Sequence, residues 1–220
     1  MSVASHWSGL SVVLLALNIL FEFLLLVVAS RRNLWGSLLM LPVFAAFCLL
    51  MDSIGTWIAF NSRGWGYWMF YWTAEAIGTA VLVLLCVQIA TILLPKWKMP
   101  IIGLWSVLIL AFLIVIAVQT VPSHRQNDFR LLLIFADIAA VGMLVMISSM
   151  TVKIWPIGFG FLISGLSLST IFHLVFSVVG PPWTLYGYPG ASLLGTILLF
   201  AGALLRPSAY PTPTRFDAMF

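Results

Sequence analysis

The chain has 220 residues, of which 63% are hydrophobic and 7% charged, against roughly 45–50% and about 25% in soluble domains. That composition excludes a water-soluble globular protein, and 10 Lys+Arg against 6 Asp+Glu read as a membrane topology signal, not a nucleic-acid footprint. Cys48 and Cys86 both fall inside apolar runs, which gives neither a disulfide framework nor a metal-type spacing.

The expected fold is an all-α integral membrane protein of seven transmembrane helices. A hydrocarbon core of about 30 Å takes around 20 apolar residues per helix, and the stretches 8–29, 35–60, 67–94, 100–121, 129–150, 155–179 and 190–205 supply them. The first is expected to remain as a permanent helix, because Met1 to Trp7 holds no Lys or Arg and the apolar run outlasts a signal h-region. Helix two carries Pro42 and helix six Pro156 near their inner ends, where a proline reads as a kink or a hinge. Between helices two and three, Trp57, Phe60, Trp65, Tyr67, Trp68, Phe70, Tyr71 and Trp72 form an interfacial aromatic belt. Helix four is almost wholly apolar apart from Ser106 and Gln119 and is expected at a lipid-facing or subunit-facing edge. Helix seven carries Ala191, Gly195 and Gly202 on one small-residue face, suited to seat it against helix one or against another copy of the chain. Residues 1–206 make one transmembrane domain with no internal repeat. Residues 207–220, with Pro211 and Pro213, form an extended or disordered tail.

Basic residues orient these spans. Arg31, Arg32, Lys96, Lys98, Lys153, Arg206 and Arg215 fall on one side, and Arg63, Arg125 and Arg130 on the other. Seven against three places the N-terminus outside and the C-terminus in the cytoplasm. At 1.5 Å per residue, Cys48 lies about 20 Å and Cys86 about 12 Å from the inner surface, too far apart in depth for a disulfide. Both are expected to be free thiols.

Four of the six acidic residues, Glu22, Asp52, Glu75 and Asp137, lie within spans, as does His173. An ionisable group at depth costs about 2.5–3.5 kcal/mol on insertion scales and is normally turned inward. By helical rise, Asp52, Glu75 and Asp137 lie about 12 Å and His173 about 9 Å from the outer ends of their helices. Trp68, Tyr71 and Trp72 project on the Glu75 face. These seven residues are the expected ligand-binding or proton-binding site, an acidic and aromatic pocket open to the outside. Glu22 stands in the inner half of helix one with Asn18 one turn above it, and the two are expected to line a second, inner pocket. Three carboxyls and a histidine in a low dielectric cannot all be ionised, so proton uptake belongs to this site.

Enzyme chemistry is not expected. A seven-helix zinc hydrolase or a bis-histidine haem needs more intramembrane histidines than His173 alone. No catalytic residue, metal or cofactor is predicted. In number and orientation of helices the chain resembles a microbial rhodopsin, yet Gly190 to Leu205 contains no lysine to carry a chromophore. The run Tyr67, Trp68, Phe70, Tyr71, Trp72 and Glu75 resembles the Tyr-Trp-x-x-Glu stretch of an uncharacterised bacterial family of about 220 residues with seven spans. That resemblance covers the third helix and implies a free-standing protein of the bacterial inner membrane. The function expected is binding of a small ligand, a lipid or a partner subunit, as a sensor or membrane-assembly component. The alternative is a proton-coupled small-solute transporter using the intramembrane carboxylates. The partners are the lipid bilayer and, through the small-residue face, a second copy or other subunits of a membrane complex; nucleic acid is excluded.

Overall fold

The computed structural model describes residues 9–61, 65–94, 99–120, 126–151, 157–179 and 183–205. Of residues 65–69, 71, 72, 75, 110–120, 126–133, 135–137, 150, 151, 157, 173, 176–179 and 183–189 it describes the backbone only. Among the described residues every regular element is a helix: α1 (Gly9–Arg31), α2 (Leu34–Ser37), α3 (Met40–Asn61), α4 (Trp65–Leu93), α5 (Met99–Thr120), α6 (Gln126–Thr151), α7 (Ile157–Val179) and α8 (Trp183–Leu205). Seven are long and α2 is a single turn. Among the described residues three helical stretches are long and apolar enough to cross a membrane, Gly9–Arg31, Met40–Asn61 and Ala76–Leu93.

The burial pattern of α1 shows what kind of surface surrounds it. Its buried residues, Ser11, Asn18, Glu22, Leu25 and Ala29, recur at spacings of seven, four, three and four, one stripe of a helix packed in a bundle. Leu10, Val13, Leu20 and Phe23 on its other faces are exposed. Polar groups inside and large apolar groups outside are the arrangement expected where the surrounding medium is lipid.

Two helices differ from their sequence expectation. The second span is not continuous: Asn33 takes the left-handed conformation at φ 53°, which Asn tolerates better than most residues, and α2 ends before Leu38 and Leu39. Pro42 therefore stands in the first turn of α3, where its missing N–H costs nothing, and kinks no span interior. The Gln88 side-chain oxygen of α4 accepts from the Met40 backbone N–H at 2.8 Å and so caps α3 from a neighbouring helix. The last helix begins at Trp183 rather than at 190 and has 23 residues, long enough at about 1.5 Å per residue to match the others.

The helices close on one another. α1 packs on α3 and α8, α3 on α4, α4 on α5 and α6, α6 on α7, and α7 on α8. The most extensive of these contacts joins α7 and α8, and small residues explain it. A Cβ added at Gly165 of α7 would stand 2.8 Å from the Gly195 carbonyl oxygen of α8, and one at Gly202 would stand 2.8 Å from the Gly158 oxygen. Backbones this close require glycine. The small-residue face of α8 is thus spent on α7, not on α1 as the sequence suggested, and Gly195 and Gly202 are covered within the single chain. α1 meets α8 partly through the edge-to-face pair Phe21 and Phe200, centroids 5.8 Å apart. Cys48 and Cys86 are not joined in a disulfide, as expected.

Candidate functional site

The polar residues of α1, α3 and α8 meet at the middle of their helices. Asn18 and Glu22 are the tenth and fourteenth residues of α1, Asp52 the thirteenth of α3 and Thr196 the fourteenth of α8, each within about two residues of its helix midpoint. Asn18 and Glu22 face the same way because they are one turn apart. The Asn18 amide nitrogen donates to Glu22 Oε1 at 3.0 Å and to Asp52 Oδ2 at 2.7 Å. Its carbonyl oxygen accepts from the Thr196 hydroxyl at 2.9 Å. The same hydroxyl also lies 3.0 Å from the Ser192 carbonyl of its own helix. One primary amide therefore uses both of its hydrogens and its oxygen to tie three helices together.

Burial makes the arrangement costly. Asn18 is 1% exposed, Glu22 4% and Thr196 7%, and Asp52 is half-buried. The Thr56 hydroxyl, one turn along α3, donates to the Asp52 backbone oxygen. Because both carboxyl oxygens accept from one nitrogen, they lie no more than about 6 Å apart. The second carboxyl oxygen of Glu22, Oε2, is buried and meets no hydrogen-bond partner. Such an orphaned oxygen costs free energy, and a structural bridge would not require it.

Of the seven residues expected to form one outer pocket, Asp52 is the one whose side chain is described. Asp52 is drawn to Asn18 and Glu22, so the outer and inner sites expected from sequence share a member. By the same count Asn18 lies about 15 Å from the outer end of its span, close to the level of Asp52; what the sequence left open was that α1 and α3 are neighbours and that these two side chains meet. Trp68, Tyr71, Trp72 and Glu75 lie on α4, Asp137 on α6 and His173 on α7, but their side chains lie outside the described residues. The backbones that carry them are neighbours, α4 against α6 and α6 against α7. Thr196 and Gln88 were missed as functional polar residues. A signal existed for the first: Thr196 and Ser192 stand one turn apart in a helix otherwise built of Leu, Ile, Phe, Ala and Gly from 190 onward.

Among the described residues no group of three or more His, Cys, Asp and Glu is placed to hold a metal ion. Chemically, the assembly presents two acidic groups, one neutral bifunctional amide and one hydroxyl, a set suited to bind and release a small cationic or hydrogen-bonding species. No protein-family model, curated protein or solved structure matches the chain.

Proposed function

We propose that the chain is a non-enzymatic membrane protein whose seven long helices all cross the bilayer, with the N-terminus outside and the C-terminus in the cytoplasm. It acts by binding in its polar interior. An outward-opening acidic and aromatic pocket takes a small ligand, lipid or partner subunit, and the Asn18, Glu22, Asp52 and Thr196 network forms its floor. The bacterial inner membrane is the setting that the Tyr71 to Glu75 resemblance favours. The observation supporting binding over scaffolding is the buried, unpartnered oxygen of Glu22 beside a fully engaged amide.

The test is accessibility. In a background with Cys48 and Cys86 replaced by Ala, Thr56→Cys should react in intact cells with a membrane-impermeant, positively charged methanethiosulfonate. Leu50→Cys, whose parent side chain is exposed on the bundle surface, should be protected by lipid. A Thr56→Cys protein that stays unmodified from outside overturns the outward-opening pocket.

One observation favours a second reading, proton-coupled transport of a small solute: the Asn18 amide joins a carboxyl of helix two to one lying a turn deeper on helix one. Transport adds a second expectation, that Leu25→Cys, the next buried position on the Glu22 face, reacts from the cytoplasmic side.

A further inference from the structure

We propose that Glu22 and Asp52 share a single exchangeable proton at mid-membrane, carried on the unpartnered Oε2 of Glu22 and held in place by Asn18. The pocket reading says where solvent enters; this names an occupant of its floor and does not depend on which side the pocket opens.

The geometry carries it. Two carboxyls a few ångströms apart in a low-dielectric interior repel one another when both are ionised, and a neutral amide cannot balance two charges. Asn18 gives one N–H to each, at 3.0 and 2.7 Å, which leaves Oε2 of Glu22 as the buried oxygen with no donor. A proton forms an O–H bond there and leaves the Glu22 and Asp52 pair with one negative charge between them, the Asp52 carboxylate still accepting from Asn18. On release the O–H bond breaks, the electron pair stays on oxygen and the proton passes to water. A metal cation fits the same place less well, because the amide hydrogens, not oxygens, face both carboxyls.

The surrounding titratable groups are few. On α1 the next is Arg31, nine residues on and exposed at the helix end. Of the elements packed on α1, α3 contributes Asp52 and Cys48, whereas α2 and the described side chains of α8 contribute none. Tyr186 and Tyr188 of α8 lie outside the described side chains. α4, behind α3, contributes Cys86, with Tyr67, Tyr71 and Glu75 outside the described side chains.

Infrared spectroscopy of the full chain in lipid nanodiscs tests the proposal through the carbonyl stretch of a protonated carboxyl, titrated with pH in light and heavy water. The wild type should show such a band, shifted by deuterium exchange, and Glu22→Gln should lose the Glu22 component of it while Asp217→Asn, in the expected tail, retains it. Asp52→Asn should move the pH at which the Glu22 band disappears by about one unit or more, since sharing means strong coupling. Identical spectra for wild type and Glu22→Gln overturn the proposal, as does an Asp52→Asn variant whose titration is unmoved. A band that vanishes when choline is replaced by sodium at fixed pH also overturns it, in favour of a metal ion. Band present with Thr56→Cys unreactive removes the outward pocket alone; Thr56→Cys reactive with no Glu22 band removes the shared proton alone.

Discussion

At the scale of the residue, the Asn18 side chain ties three helices together. Its three side-chain hydrogen bonds reach Glu22, Asp52 and Thr196, and interhelical bonds in membranes average about 0.6 kcal/mol and reach about 1.7. Asn18→Leu removes all three and leaves both carboxyls without their donor, so a loss of roughly 2 kcal/mol is expected by reversible denaturation in mixed micelles. Thr196→Val removes one bond and should cost about a third as much. Equal stabilities for the two variants would show that the Asn18 bonds to the carboxyls contribute nothing. Asn18, Glu22 and Asp52 were all legible in the sequence as polar groups at depth, because an ionisable residue in an apolar run is conspicuous. Their partnership was not legible, since it depends on which helices are neighbours. Thr196 was overlooked because a lone Thr in a helix is ordinarily content with its own backbone, as the 3.0 Å approach to the Ser192 oxygen illustrates.

At the scale of the element, length and apolarity sufficed to find seven long helices, and local chemistry blurred their ends. The Asn33 left-handed turn lies just before the expected second span, and the one-turn α2 ends at Gly36 and Ser37, a small-residue pair that composition over a window of about 20 residues averages away. Residues 183–189, with three aromatic groups and Pro189, continue the helix ahead of the expected start at 190. The α7 and α8 pair offers a sharper case. Gly195 and Gly202 were recognised as a packing face, yet their partner, the Gly158 and Gly165 row of α7, required the fold. Gly165→Ala should therefore destabilise by about 1–3 kcal/mol, the usual cost of forcing a packed backbone apart. Gly103→Ala and Gly142→Ala, where an added Cβ meets nothing within 4 Å, should be neutral or stabilising by up to about 1 kcal/mol, as Ala prefers a helix. Thermal melting of the three variants side by side reads this directly, and equal melting temperatures would contradict the close α7 to α8 approach.

At the scale of the whole molecule, the basic residues divide seven to three across the expected spans. Single cysteines at 97 and 153 should be protected from an impermeant thiol reagent in intact cells, and those at 124 and 186 should react. Strong labelling at 97 or 153 would invert the protein and the side from which its polar interior opens.

The contact between Asn18 and Thr196 also has a consequence for how the protein is made. The two residues are 178 positions apart in the chain, so at ribosomal speeds of about 5–20 residues per second the first waits roughly 10–40 s for the second. Throughout that interval the nascent chain holds a half-built polar centre, and near its end the glycine row of α7 awaits α8. Among the described residues α8 supplies the Asn18 carbonyl with its donor and joins α1 to α7. A chain that stops before α8 leaves the Asn18 carbonyl and the glycine row of α7 without their α8 partners.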